Sequence, residues 1–277
     1  MAAAVVIATT SGSGSHASKP TATASQQTAD ASADASKPRF PPSWRPSRAP
    51  VPIVEYHAIQ PPVAGSQYPD LFVPQADFEQ QMAWLHDHGY EAVTLRQVED
   101  SWSGHGELPP KPVVISFDDG YRSQYVAGFL VLQRYRWPGV LDLIAGAQGD
   151  DLPTADVKRM IDAGWELASH TVNHLDVSTL DSSQLESEIA GSKRDLERRF
   201  GVKVVNFCYP AGHYNQAAIA ELRRAGYRGA TTELPGLADR ANPYTLARLE
   251  ITGSDGLSGF ADKVSAAQPQ GPAPPSA

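Results

Sequence analysis

Cysteine is almost absent: Cys208 stands alone among 277 residues, which excludes an intrachain disulfide and leaves the redox compartment open. Positive charge is short as well. Twenty-three Lys and Arg face 31 Asp and Glu, a formal net charge of −8, so the basic face of a nucleic-acid-binding protein is not expected. No apolar run is long enough to span a bilayer once the chain is folded, and no internal repeat is visible. Aromatic residues are missing up to Phe40. Residues 9–45 are dominated by Ser, Ala, Thr, Lys, Asp and Pro. Such a stretch buries too little apolar area to offset its ordering entropy and is expected to be disordered. Gln268 to Ala277 is a Pro-rich tail of the same kind.

Ala2 to Ala8 resemble the end of a signal-peptide h-region, yet no Lys or Arg precedes them and Lys19 is the first cation. A displaced start, a trimmed leader and a plain Ala-rich tail all fit. The low-complexity segment behind them suits an exported protein, secreted or held at the cell envelope. With 41% hydrophobic residues, the remainder can form one core. The expected organisation is a segment 1–49, a single folded domain 50–264 and a tail 265–277, as a monomer.

Within the domain, short apolar runs alternate with amphipathic stretches. Val51–Tyr56, Tyr90–Thr94, Val113–Phe117, Trp165–Ala168, Val202–Phe207 and Tyr227–Thr231 read as strands. The continuous run at 113–117 suits a strand buried on both faces. Phe78, Met82 and Leu85 recur at helical spacing before Gly89. Ala155–Ala163 reads as a helix ending at Gly164. Ser183 and Glu186 have capping-box spacing for a helix holding Leu185, Ile189, Leu196 and Phe200, closed by Gly201. Asn215 can cap a helix that stops near Gly226. Strand and helix in repeated succession predict an α/β fold with a parallel sheet or an α/β barrel.

Three clusters follow predicted strands, where active-site loops of such folds gather. Ser116-Phe-Asp118-Asp119-Gly120-Tyr121 puts two carboxylates at the end of a buried run, costly unless paired or metal-bound; a solvent-exposed Asp-Asp-Gly turn is the plain alternative. His170-Thr-Val-Asn-His174 can bring two imidazoles to one side of a helical turn, as a transition metal requires; a surface histidine pair is the alternative. Phe207-Cys-Tyr-Pro210-Ala211-Gly212 contains a turn able to aim a backbone N–H into a site, or an ordinary strand-to-helix turn. Together, Asp and two His form a common ligand set with open positions, and a neighbouring carboxylate suits a general base.

On these residues the sequence resembles the polysaccharide deacetylases, the NodB-homology or carbohydrate esterase 4 group. Ser-Phe-Asp-Asp-Gly at 116–120 matches the family's first motif, and His170 to His174 its His-(Ser/Thr)-x-x-His motif. The resemblance runs from about Val51 to Ile251. It implies a distorted (β/α) barrel and a metal-dependent hydrolase that removes N-acetyl groups from an N-acetylglucosamine-containing polysaccharide. By resemblance Asp118 is the base, and Asp119, His170 and His174 hold Zn²⁺, Co²⁺ or Ni²⁺. Ala211 offers an oxyanion N–H, and Tyr121, Tyr209 and Pro210 contact substrate.

The sequence departs from the family pattern twice. Cys208 stands where the Arg-x-Pro-Tyr motif has its Arg and Ala211 where it has its Tyr; a backbone N–H survives the second change, and for the first Arg248 is the substitute expected, against the alternative of a surface Arg at a strand edge. The C-terminal Leu-x-x-His is missing, since no histidine follows His213. Similar members, among them poly-β-1,6-N-acetylglucosamine deacetylases, carry Pro-(Ile/Val)-x-x-Tyr-His near the N-terminus, as Pro52 to His57 does here. His57 is then the expected acid rather than a strand-end residue satisfied by backbone. His86, His88 and His105 read as solvated. An O-acetyl esterase acting on xylan or another glycan remains open, as does a non-catalytic glycan-binding module, and the sequence does not choose the polymer.

Overall fold

The computed structural model describes residues 41, 43–146 and 152–267. Most of the expected N-terminal low-complexity segment, and the Pro-rich tail from 268 on, lie outside the described residues.

Eight parallel strands build the fold. They are β1 (Ile53–Tyr56), β2 (Glu91–Ala92), β3 (Pro112–Asp119), β4 (Val140–Leu143), β5 (Glu166–Ser169), β6 (Asn206–Cys208), β7 (Gly229–Pro235) and β8 (Leu246–Glu250). Seven of them run in the order β1-β8-β7-β6-β5-β4-β3, and β3 pairs back onto β1, closing a barrel with β2 added beside β3. Register fixes which side chains meet at the closure, with Glu55 opposite Ser116 and Val54 opposite Leu249.

Period-two alternation sorts each strand into two faces. On β3, Val113, Ile115 and Phe117 pack outward into the large apolar cluster shared with the helices, while Val114 belongs to a second cluster with Ile53, Val140, Ala168 and Leu246. That second cluster plugs the lower barrel. Above it the interior turns polar, with Glu55, Ser116, Asp118, Asp142, Cys208 and Arg248 all buried. Phe117 anchors the outer layer by stacking on Trp165 at 5.1 Å and on Tyr56 at 5.8 Å.

The helices follow the strands: α1 (Gln75–Asp87), α2 (Leu95–Trp102), α3 (Leu130–Tyr135), α4 (Thr154–Asp162), α5 (Ser182–Leu185), α6 (Ser192–Phe200), α7 (Gln216–Ala225) and α8 (Gly256–Ala266). A π-helical segment, Glu186–Gly191, joins α5 to α6 without a break. No helix among the described residues is long and apolar enough to cross a membrane.

Several expectations need correction. The cap of α5 is Asp181, whose carboxylate accepts from Ser183 N and Gln184 N while Gln184 answers with its side chain, so the box begins two residues before Ser183. The second and sixth strands shrink to Glu91–Ala92 and Asn206–Cys208, because only those residues find ladder partners. The His170–His174 segment is not a helical turn but a loop, with Thr171 (φ 67°) and His174 (φ 57°) left-handed. Strand β4 escaped the pattern because Asp142 interrupts its apolar run, and helices α2 and α8 were not anticipated. Helix α2 carried a readable signal in its Thr94/Gln97 capping box.

At the lower end of the barrel, Glu99 meets Arg228 Nε at 3.1 Å, and Asn206 Nδ2 donates to Glu99 and to Glu166. Burial, with the Glu166 carboxylate adding to it, pushes Glu99 up to about 8 against the pull of Arg228. The folded chain therefore keeps a proton that the unfolded chain releases near its ordinary carboxylate value of 4.5. Stability from this group is complete below that value and declines as pH rises to about 8, at a slope of at most ~1.4 kcal/mol per pH unit. Glu99→Gln should remove that slope, so its stability relative to the parent in urea unfolding should improve from pH 5.5 to pH 8.5. A parallel pair of pH profiles would contradict the assignment.

Candidate active site

Strand β3 ends in Asp119 (φ 75°) and Gly120 (φ 91°), two successive left-handed residues. The φ of Gly120 is one that glycine adopts at no steric cost, and a Cβ there would also crowd Leu143 Cδ1 at 2.5 Å. This turn separates the two carboxylates: Asp118 stays in the barrel at 2% exposure, and Asp119 faces the cleft. The exposed-turn alternative for the pair is not what forms.

His170 continues β5, its N–H donating to Leu143 O. Its Nδ1 lies 2.9 Å from the Cys208 carbonyl, which fixes the proton on Nδ1 and leaves Nε2 as a lone pair. Burial holds this imidazole below its ordinary pKa despite Asp118 and Asp119 nearby, so it is neutral, as a ligand must be. His174 Nε2 stands 3.0 Å from His170 Nε2, and Asp119 Oδ1 lies 3.5 and 3.4 Å from the two nitrogens. Ligands held about 2 Å from one tetrahedral or octahedral ion stand roughly 3 to 3.5 Å apart. Asp119 Oδ1 is buried without a hydrogen-bond partner. A converging triangle with an orphaned carboxylate oxygen suits a divalent transition ion. Two other groupings, Asp118–His170–Cys208 and Glu55–His57–Asp118, bring donors within similar reach, but in both Asp118 is already engaged by a cation.

That cation is Arg248, 1% exposed on β8. Its Nη1 and Nη2 donate to the two oxygens of Asp118 at 2.7 and 2.8 Å, a bidentate fork. Nε donates to Thr232 O at 3.0 Å and lies 3.1 Å from Glu55 Oε2. Nη2 approaches Cys208 Sγ at 3.2 Å, and the thiol donates to Asp118 Oδ2. The surface-edge alternative for Arg248 is therefore not realised. The guanidinium reaches Asp118 from β8, two strands along the barrel from the β6 strand of Cys208.

One guanidinium shares the interior with three carboxyls. Burial raises Asp118, but the charge and hydrogen bonds of Arg248 outweigh it and hold the group well below the usual carboxylate range. For Glu55 and Asp142 burial prevails, Arg248 opposes it only in part, and both are pushed well above their ordinary values. The strong bidentate partner of the one cation is thus Asp118.

A cleft of about 610 Å³ opens over these groups. His57, Asp118, Asp119, Tyr121, His170, His174 and Ala211 all line it. His57 is 8% exposed and its Nδ1 has no hydrogen-bond partner. Ala211 is left-handed (φ 51°) in the turn after β6. The next residue, Gly212, must be glycine, since a Cβ there would lie 2.5 Å from Glu233 N. Tyr209 and Pro210 are a correction: both are buried, and neither lines the cleft. Tyr209 follows the inward-facing Cys208 and so points outward, its hydroxyl donating to Tyr244 O. His86, His88 and His105 are exposed, as expected.

Sequence reasoning missed Glu55 and Asp142, the cleft residues Tyr68, Glu233 and Glu250, and Glu188, whose carboxylate accepts from Val172 N and Asn173 N. A polar residue interrupting an apolar strand was the available signal for Glu55 and Asp142. Tyr68, Glu188, Glu233 and Glu250 gave none: a loop brings in Tyr68, a helical segment Glu188, and the upper ends of β7 and β8 bring Glu233 and Glu250.

This barrel, with an Asp-His-His triangle above an Arg-clamped carboxylate, is that of the polysaccharide deacetylase family, whose profile matches residues 105–230. The chain belongs to that family. It is 33% identical over 216 residues to the YxkH protein of Bacillus subtilis (strain 168), which carries a polysaccharide deacetylase name, covering 77% of this chain and 75% of that one. It is 28% identical over 268 residues to the poly-beta-1,6-N-acetyl-D-glucosamine N-deacetylase of Escherichia coli (strain K12), covering 79% of this chain but only 39% of that protein. Among solved structures, the Streptococcus pyogenes deacetylase PplD, in complex with acetate, superposes with a TM-score of 0.73 at 25% identity, covering 80% of this chain and all of the other.

The Arg248 clamp carries a stability prediction. Arg248→Ala leaves Asp118 charged, buried and unpaired, and should cost about 3–5 kcal/mol. Urea unfolding at pH 7 measures it, and a loss under about 1 kcal/mol would contradict the clamp.

Proposed function

We propose that this chain removes N-acetyl groups from an N-acetylglucosamine-containing polysaccharide, releasing acetate and leaving the glycosidic bonds intact. The observation that carries the reading is the triangle of Asp119, His170 and His174 beside Asp118 at the floor of one cleft. Those three residues would hold a divalent ion, zinc foremost with cobalt or nickel as alternatives, which supplies Lewis acidity toward water and the acetamide carbonyl.

The chain's own groups divide the proton work. Asp118 accepts a proton from the attacking water. The arginine fork and the Cys208 thiol take three of its four lone-pair sites and leave one for the water, and Arg248 acts as a positioning residue that keeps it ionised and aimed. The Ala211 N–H, presented by the left-handed turn, donates to the developing oxyanion. His57, with an uncommitted Nδ1 at the cleft, delivers a proton to the nitrogen as the C–N bond breaks, giving acetate and a glucosaminyl amine. Tyr121 lines the cleft where a sugar ring would sit.

Poly-β-1,6-N-acetylglucosamine is the favoured polymer, because the Escherichia coli relative is named for it and because the acid lies at the N-terminal His57. Export is part of the proposal and rests on the low-complexity composition of residues 9–45. The catalytic domain is taken as 50–264, acting as a monomer.

Asp118→Asn should abolish acetate release while metal content stays near one ion per chain; retained activity would remove Asp118 from the role of base. His57→Ala should slow amide hydrolysis by roughly 10²- to 10⁴-fold and slow an acetyl ester far less, since an alkoxide needs less help to leave. Equal losses on both substrates would count against His57 as the acid.

A further inference from the structure

The loop that carries His174 is held in an unfavourable shape. Thr171 and His174 are both left-handed, a conformation that non-glycine residues resist and that persists only where the surroundings over-determine it. Thr171 contributes locally, its Oγ1 accepting from His174 N at 2.8 Å. The middle of the loop is fixed from elsewhere. Glu188 Oε2 accepts from Val172 N at 3.0 Å and Asn173 N at 2.8 Å, and its Oε1 accepts from Asn173 Nδ2 at 2.6 Å. Glu188 is 3% exposed, and among the described residues no cation is paired with its carboxylate. The loop amides are what compensate its charge.

Glu188 sits in the π-helical segment Glu186–Gly191, where the wider turn displaces side chains from their α-helical positions. The opposite side of the loop is closed, since Gly146 N donates to Val172 O and a Cβ at Gly146 would lie 2.4 Å from that oxygen. His170 has its own tie to Cys208 O, whereas His174 has a 41% exposed side chain and depends on the loop for its place.

We propose that Glu188 is the positioning residue of the metal triangle: its carboxylate sets the loop that presents His174 to His170 and Asp119, and metal affinity depends on it. The proposal rests on the metal site proposed above and extends it to a residue that touches neither ion nor substrate. Partners outside the ligand shell typically contribute 10- to 100-fold to affinity.

The test is zinc affinity of the full chain, by chelator competition, for the parent, E188Q, E188A and, as a lost-ligand reference, H174A. Metal-free melting curves establish that each variant is folded at the assay temperature. E188A should bind zinc about 10- to 100-fold more weakly, with a smaller zinc-induced rise in melting temperature. E188Q keeps one acceptor oxygen and should lose only a few-fold. Folded E188A within twofold of the parent overturns the proposal; if E188A does not fold, a shift under twofold in E188Q does so. A parent chain that binds zinc no better than H174A overturns the metal reading itself, and this proposal with it.

Discussion

The buried pair of Arg248 and Asp118 is the constraint on which the upper barrel depends. A guanidinium at 1% exposure is tolerable only where its donors are met, and here carboxylate, carbonyl and thiol groups from β1, β3, β6 and β7 surround the Arg248 side chain that β8 carries. The cation in turn decides the protonation of the interior. The charge and two short hydrogen bonds of Arg248 hold Asp118 well below the usual carboxylate range, whereas burial pushes Glu55 and Asp142 well above it, since one cation cannot offset the desolvation of three acids. Five strands are thereby tied to one charge at the level where the cleft begins.

From that level upward, several residues of the site are delivered by turns that depart from ordinary backbone. Asp119, Thr171, His174 and Ala211 are all left-handed without being glycine. Such residues concentrate where a site demands a particular aim, and the surrounding fold sustains the strain. Gly120 and Gly212 allow the close approaches beside them, to Leu143 and Glu233. The lower barrel is built differently, from an apolar plug above the Glu99, Glu166 and Asn206 cluster, and it supports the cleft rather than lining it.

Much of this was legible in the sequence. Strands β1, β3, β5 and β7, and helices α1, α4 and α7, follow from apolar period and from caps such as Asn215 and Gly226, because local pattern suffices where a segment's own residues fix its conformation. The ligand residues were legible for a different reason, since their spacing within short motifs is set by turns that few sequences make. The helical reading of the His170–His174 spacing failed because Glu188, fifteen residues beyond Asn173, imposes another shape on the loop. Strand β4 was hidden by Asp142, whose burial makes sense only beside Arg248, more than a hundred positions away. Tyr209 was misplaced because its neighbour Cys208 takes the inward face. In each case the missing information was tertiary.

What the parent enzyme releases is the most direct test of deacetylation at this site. Metal-stripped and zinc-restored protein can be incubated with defined β-1,6-linked N-acetylglucosamine oligomers while proton NMR follows acetate and mass spectrometry follows chain length. Amide hydrolysis at this site predicts acetate only after zinc is restored, one equivalent per free amine formed, with every oligomer keeping its length. Shortened oligomers, or acetate released equally well by the stripped protein, would contradict it.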